Sequence, residues 1–196
     1  MSSQLATSEE STVSRGSSVA ASAGLGVFAA AIGYLLTYLL VGSDVREIFG
    51  EDVAQWKGVA WYFYEAHMVD VEASGQVGSF SGTRVLDLIA ESGADPLYAI
   101  PPLVLFAVGA FLAVRWSVTD LGDAVIAGAP VTIGYAAVIS LGAIVAESTT
   151  EASTFGIETT SSIAPVLVPA IVLGGVLYPL VFATAGAAIA AVANAQ

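Results

Sequence analysis

The residues whose side chains could do chemistry gather in one stretch, residues 56–71, which reads WKGVAWYFYEAHMVDV. This stretch contains the only histidine of the chain, His67, and the only lysine, Lys57. An imidazole near carboxylates suggests either metal binding or general acid–base chemistry, and Glu65 is the nearest carboxylate in the sequence. The stretch is therefore the first place to look for a functional site.

The spacing of the carboxylates argues against a site of that kind. Glu65 and His67 would point apart on a helix. On a strand they would share one face, from which Asp70 and Glu72 point away. Because no regular element brings all four side chains together, we expect no catalytic residues, no metal site and no cofactor here. A metal site or a pH-responsive histidine is the alternative.

A helix is predicted to carry this stretch, because its apolar residues recur at helical spacing. Asp52 and Gln55 have the spacing of a capping box and predict where the helix begins. Its aromatic face suits either the headgroup level of a membrane or the core of a small outer domain. The candidate interaction surface consists of Trp56, Lys57, Trp61, Phe63, Tyr64 and His67.

The composition indicates the class of protein. Of the 196 residues, 56% are hydrophobic and 11% are charged, against about 25% charged residues in a typical soluble domain. The uncharged runs are long enough to cross a bilayer, so we predict an integral membrane protein whose first partner is the lipid bilayer. The absence of cysteine excludes disulfides, thiolate metal sites and thiol nucleophiles.

The charges are strongly acidic, with 17 aspartates and glutamates against five lysines and arginines. This balance excludes nucleic acid as a partner, because binding to phosphates needs clustered basic residues. The acidic residues are spread through every polar segment, which favours adaptation to high salt over a site for a cationic partner. A halophilic archaeal source is therefore expected.

Four long apolar segments, of which only the third contains a charged residue, Asp123 in its first turn, predict an all-α fold, a four-helix transmembrane bundle. The predicted spans cover residues 19–41, 97–114, 121–146 and 163–194. Residues 19–196 then form one membrane domain, and the serine-rich residues 1–18 are predicted to be a disordered tail. Pro130 should kink the third span. The long fourth span is expected to be one kinked helix, with a broken or re-entrant segment as the alternative.

One polar insert, residues 43–96, separates the first two spans. Short helices and a possible β-hairpin are predicted within it. Asp44 and Glu47 have capping-box spacing for a short helix, and Ser74-Gly75 suits the turn of a hairpin.

The arginines indicate the orientation in the membrane. With four spans, both termini lie on the same side. Arg15 lies near the first span and Arg115 lies in the shortest loop, so the positive-inside rule places both termini in the cytoplasm and the insert outside. Arg46, just after the first span, argues for the opposite orientation.

The run WKGVAWYFYEAH at residues 56–67 and the acidic, cysteine-free, four-span layout resemble a group of uncharacterised haloarchaeal multi-pass membrane proteins. Those proteins carry a W-K-x-x-x-W-x-F-Y-x-A-H-like run after the first span. The resemblance implies an archaeal cell membrane as the location. It implies no known activity and supplies no site residues.

Two classes of function remain open. A non-enzymatic scaffold or interaction protein would bind a protein partner through the insert. The alternative is a small-solute channel or transporter that acts as a homo-oligomer, because four uncharged helices alone leave little room for a solute path. The polar residues inside the spans are Thr132, Tyr135, Ser140 and Thr184. Hydrogen bonds between helices are the common role of such residues.

Overall fold

The computed structural model of the protein describes residues 2–154 and 157–196, with side chains described over residues 18–153 and from residue 158 onward. The helices are α1 (Ser2–Phe49), α2 (Gln55–Glu65), α3 (Leu88–Ser92), α4 (Ile100–Arg115), α5 (Leu121–Gly128), α6 (Val131–Val145), α7 (Leu167–Pro169) and α8 (Tyr178–Asn194). A 3₁₀ turn, Asp95–Ala99, precedes α4, and a π-helical segment, Ala170–Leu177, joins α7 to α8. The strands are β1 (Val71–Val77), β2 (Phe80–Leu86), β3 (Ser148–Thr154) and β4 (Ile157–Pro165).

Four helical segments within the described residues are long and apolar enough to cross a membrane. They are Ser18–Phe49, Asp95–Arg115, Leu121–Val145 and Leu167–Asn194. The four apolar helices predicted from the sequence are thus confirmed. The third is divided into α5 and α6 at Pro130, as expected from the missing backbone N–H of proline.

The fourth apolar segment is one continuous helix, which agrees with the preferred prediction. The helix absorbs its prolines through the π-helical segment that lies between Pro169 and Pro179. A proline leaves a carbonyl of the preceding turn without its usual donor, and a local π-helical turn accommodates such a break without ending the helix.

Glycines let the long helices pack backbone against backbone. A Cβ atom added to Gly109 of α4 would overlap the carbonyl of Ala183 on α8, and one added to Gly186 of α8 would overlap the carbonyl of Phe106. Between α1 and α6, the same holds for Gly26 and Gly134. Close approach through small residues is the usual means by which apolar helices associate, since dispersion contacts drive their packing.

The first helix is longer than predicted at both ends. It begins at Ser2, so it includes most of residues 1–18, which were predicted to be disordered. Asp44 and Glu47 lie within α1 and do not start a separate helix, and Gly50 ends α1 in the left-handed conformation with φ +65°. The reason is that extending an existing helix costs far less than nucleating a new one.

An antiparallel sheet of four strands in the order β2-β1-β4-β3 corrects the prediction of an all-α fold. The β1–β2 hairpin was foreseen, but its turn lies at residues 78–79, where Gly78 supplies the positive φ of 58° that a tight turn needs. Residues 147–162, read as a loop, contain β3 and most of β4 because serine and threonine pair well on a pleated surface. One sheet thus joins both polar segments at the same end of the bundle.

Replacing Gly109 by alanine should lower the free energy of unfolding by about 1–3 kcal/mol, because the added methyl group overpacks the α4–α8 contact. Thermal unfolding in detergent measures the change. Gly24→Ala in α1 is the matched control, since nothing lies within 4 Å of an added Cβ there. That control should keep or raise stability, by up to about 1 kcal/mol from helix propensity. Equal melting temperatures for the two variants would contradict the packing described for α4 and α8.

Candidate functional site around His67

Helix α2 is tied to the end of α1 through Gln55. The Gln55 side-chain amide donates to the Gly42 carbonyl at 2.6 Å, and its amide oxygen accepts from Nε of Arg46 at 2.9 Å. Ala54 occupies the N-cap position without a side-chain cap, so the capping box predicted from Asp52 does not form. The predicted helix is confirmed, but its start is fixed by tertiary contacts to α1.

Successive side chains of α2 reach backbone carbonyls that lie progressively deeper along α6. Lys57 donates to the carbonyl of Glu147, just beyond the end of α6. The indole N–H of Trp61 donates to the carbonyl of Ala146 at 2.9 Å. The hydroxyl of Tyr64 donates to the carbonyl of Ile139 at 2.7 Å. Helix α2 therefore runs back into the bundle beside α6. The Lys57 ammonium lies over the ring of Trp56, at 5.6 Å from its centroid.

His67 lies at the deep end of α2 and is completely buried. Its Nδ1 is 2.6 Å from the Phe63 carbonyl, and its Nε2 is 2.6 Å from the hydroxyl of Tyr135 on α6. Because a carbonyl can only accept, Nδ1 carries the proton and donates. Full burial favours the neutral ring, so Nε2 accepts from the Tyr135 hydroxyl. Both ring nitrogens are thus satisfied inside the protein.

The other walls of the His67 site are aromatic or lie on the π-helical segment. The ring of Phe63 packs edge-on at 4.6 Å between centroids, and the ring of Tyr178 lies at 5.1 Å. A Cβ atom added to Gly174, within the π-helical segment, would lie 3.5 Å from the His67 Cβ atom. Single π-helical turns are often found at functional sites, and here the segment faces the histidine.

Helix α2 ends at the site in a Schellman motif. The N–H of Val69 donates to the carbonyl of Tyr64, and the N–H of Met68 donates to the carbonyl of Glu65. Met68 holds the left-handed position, with φ +57°, that glycine usually occupies at the end of a helix. This turn reverses the chain, so that β1 begins only a few residues after the deepest point of α2.

Glu65 is buried, but it faces away from His67. Its two carboxylate oxygens accept from the backbone N–H groups of Leu88 and Ile89, at 3.0 and 2.9 Å, at the first turn of α3. Burial raises the pKa of Glu65 to about 7, and the two backbone N–H groups oppose that shift. Glu65 thus joins α2 to α3.

The acidic residues near His67 do not assemble around it. Asp70 and Glu72 are exposed, and the Asp70 carbonyl accepts from the N–H of Val166. Among the described residues, no three histidine, aspartate or glutamate side chains come together as a metal site would require.

The candidate interaction surface divides between interior and exterior. Four of its members, Trp61, Phe63, Tyr64 and His67, are buried against the protein's own helices. Trp56 is 44% exposed and Lys57 is half-buried, so these two residues are the part of the set that a partner could touch. Partner binding at this segment stays a prediction. Sequence reasoning missed the contact of His67 with the π-helical segment, since the prolines predict a distortion of the fourth span but not which residue packs against it.

The arrangement around His67 supports anchoring of α2 better than chemistry on a substrate. A reacting group must reach its substrate, whereas His67 has no exposed surface and both its nitrogens are bonded to protein groups. A hydrogen bond between helices is what the sequence suggested for Tyr135, and the structure provides it with His67 as the partner. The same suggestion for Thr132 and Thr184 is wrong, since their buried hydroxyls have no hydrogen-bond partner among the described residues.

Replacing Tyr135 by phenylalanine should lower the free energy of unfolding by about 1–3 kcal/mol, because Nε2 of His67 loses its partner in a buried position. Tyr178→Phe is the matched control: its ring also contacts His67, but its hydroxyl makes no hydrogen bond with the described residues, so stability should stay unchanged. Thermal unfolding of both variants in detergent checks this. Equal losses would mean that ring packing, and not the hydrogen bond, holds His67.

Replacing Glu65 by glutamine should change how stability depends on pH. The folded protein binds the Glu65 proton more tightly than the unfolded chain, whose glutamate pKa is near 4.5, so stability from this group falls as pH rises between about 4.5 and 7. The wild type should therefore lose stability relative to Glu65→Gln from pH 5 to pH 8, as measured by thermal unfolding. A constant difference between wild type and Glu65→Gln across that range would contradict the raised pKa.

The comparison with known proteins places the chain in a family without assigning it an activity. The model of a family of unknown function, DUF7978, matches residues 1–194. No curated protein and no solved structure matches the chain. Because the match extends over nearly all of its 196 residues, the chain belongs to the DUF7978 family of unknown function.

Proposed function

We propose that this chain is a multi-pass protein of a haloarchaeal cell membrane and acts as a non-enzymatic scaffold or interaction protein. Four helices of sufficient length and hydropathy support the membrane location. The apolar side chains exposed on those helices support it too, since Leu39 on α1, Leu103 on α4 and Leu141 on α6 are 71%, 64% and 65% exposed. In a bilayer these side chains contact lipid.

In that setting α2 is a re-entrant helix. Tyr135 precedes the end of α6 by ten residues, and Gly174 follows the start of α7 by seven, which correspond to about 15 and 10 Å along the helices. His67 touches both positions, so it lies a third to a half of the way through a hydrocarbon core of about 30 Å. Polar groups at that depth need protein partners, and His67 has them.

The proposal rests on a contrast between the helices, which pack closely together, and the sheet, which is uncovered. Transport needs a solute path, whereas the helices approach so closely at Gly109, Gly134 and Gly186 that no side chain fits between them. The sheet at the end of the bundle is uncovered instead. The side chains of β2 from Phe80 to Val85 are all exposed, and Phe80 at the tip of the hairpin is 82% exposed. A closely packed helical bundle that positions an uncovered sheet suits binding to another protein.

The orientation that we propose has both termini in the cytoplasm and the sheet outside the cell. Arg15 and Arg115 support it, because both lie at the end of the bundle opposite the sheet. Arg46, at the same end as the sheet, opposes it. Salt adaptation of the acidic polar segments supports the haloarchaeal source.

Expression in a haloarchaeal host tests the proposed function. We expect the protein to stay in the membrane fraction after an alkaline wash and to co-purify with a crosslinked partner after mild detergent extraction. Phe80→Ser should lower the yield of that complex at least several-fold, because it removes the apolar tip of the sheet. Thr160→Ser on β4 is the control that should leave the yield unchanged. In intact cells, an impermeant maleimide should label a cysteine introduced at Ser153, which is exposed on β3.

The same preparation distinguishes the transport alternative. Purified protein in liposomes should raise the permeability to ions and small neutral solutes no more than empty liposomes allow. Solute flux that depends on the protein would overturn the scaffold proposal in favour of a channel. Release of the protein by the alkaline wash would overturn the membrane location.

A further inference from the structure

The two edges of the sheet are free and of equal length. Strand β2 pairs with β1 alone, and β3 pairs with β4 alone, so each leaves one side of its backbone unpaired among the described residues. Each edge strand has seven residues, and neither contains the proline or lysine that commonly protects an exposed edge. Unpaired strand edges of this kind accept a further strand.

The directions of the edge strands relative to the bundle are opposite. Strand β3 follows directly after α6, so it runs away from the bundle. Strand β2 leads into α3 and α4, so it runs back toward the bundle. From one edge to the other, the strands therefore alternate in direction, starting with β3 leading away and finishing with β2 returning.

We propose that copies of this chain join head to tail through their sheets, with β2 of one copy pairing with β3 of the next. The inference rests on the proposed membrane location, because a shared bilayer makes every copy point the same way. Under that constraint, β2 and a neighbouring β3 run antiparallel, and the alternation continues from copy to copy. Two β2 strands, or two β3 strands, would instead meet in parallel. A head-to-tail contact closes into a ring when its rotation permits.

The charges on the two edges favour the same pairing. Arg84 on β2 is the only basic residue in the four strands. The β3 edge carries Glu151 and follows directly after Glu147, and both are exposed. Asp87 directly follows β2, so with Arg84 the β2 edge is close to neutral, whereas the β3 edge is acidic. Two β3 edges therefore repel each other, and Arg84 attracts the acidic edge toward β2.

The widths of the sheet and the bundle are compatible with this contact. Four strands at about 4.8 Å repeat every 19 Å or so from copy to copy. A bundle two helices wide, with helix axes about 9–10 Å apart, repeats every ~18–20 Å. Neighbouring bundles in contact within the bilayer thus bring the edge strands within pairing distance.

The register follows from the height of each residue above the bundle. Thr83 pairs with Ser74, Ser74 with Ser162, and Ser162 with Thr149, so these four residues form one row across the sheet. In the proposed contact, Thr83 of one copy lies opposite Thr149 of the next. Directly opposed residues of antiparallel strands have Cα atoms about 4.5–5.5 Å apart, which a disulfide can bridge.

Cysteine crosslinking tests the proposal in a chain that has no cysteine of its own. Thr83→Cys and Thr149→Cys are made in two differently tagged copies, produced together in one host, and the membranes are oxidised. We expect a disulfide-linked dimer that carries both tags, at least ten times more abundant than in either variant alone. A chain with both substitutions should give a ladder of higher oligomers.

Two further cysteine pairs test the register and the specificity of the crosslink. Ser81→Cys with Glu151→Cys probes the row two residues farther from the bundle and should crosslink as well. Thr83→Cys with Ser162→Cys should not, since β4 lies behind β3. Dimers formed by Thr83→Cys alone, or no dimers from either row, would overturn the head-to-tail contact. If the protein meanwhile resists the alkaline wash and keeps its Phe80-dependent partner, the proposed function stands without this inference.

Discussion

The structure depends on hydrogen bonds that helix α2 makes after it has entered the bundle. An apolar surround offers no water, so a polar group that α2 brings in without a protein partner costs several kcal/mol. The buried hydroxyl of Tyr62 has no hydrogen-bond partner among the described residues, whereas three other polar side chains at the end of α2 do. Trp61 and Tyr64 use carbonyls of α6, and His67 uses the hydroxyl of Tyr135. The partners lie at different depths of α6, and together they determine how deeply α2 is inserted and how it is rotated about its axis.

The position of α2 determines that of the sheet. Met68 and Val69 close the end of α2, and the chain then rises directly into β1, whose neighbour Asp70 already pairs with Val166. Strand β1 is central in the sheet, with β2 on one side and β4 on the other. A shift of α2 by one turn would therefore break the pairing of β1 with both β2 and β4, so the position of α2 inside the bundle and the pairing in the sheet depend on each other.

Much of the fold could be predicted from the sequence, because long uncharged runs and prolines act locally. The four apolar helices and the break at Pro130 follow from such signals. The insertion of α2 could not be predicted, since its partners on α6 and on the π-helical segment are distant in sequence. Its eleven-residue length suits a surface helix equally well. The hairpin turn was misplaced because Ser74-Gly75 and Gly78 both carry turn residues, and only pairing with β4 selects between them.

The candidate site shows the same division between local and distant causes. Rare residues cluster around His67 because a helix that is buried among other helices needs side chains that can bond to neighbouring backbones. Tryptophan, tyrosine and histidine suit this role because each has a polar group at the end of a large side chain that is otherwise mostly apolar. A cluster of that composition resembles an active site in the sequence. Burial separates the two cases, since a catalytic histidine needs one free nitrogen and a route to solvent, whereas His67 has neither. The residues around His67 thus hold helix α2 in place, and the surface that we propose for recognition is the sheet whose position α2 determines.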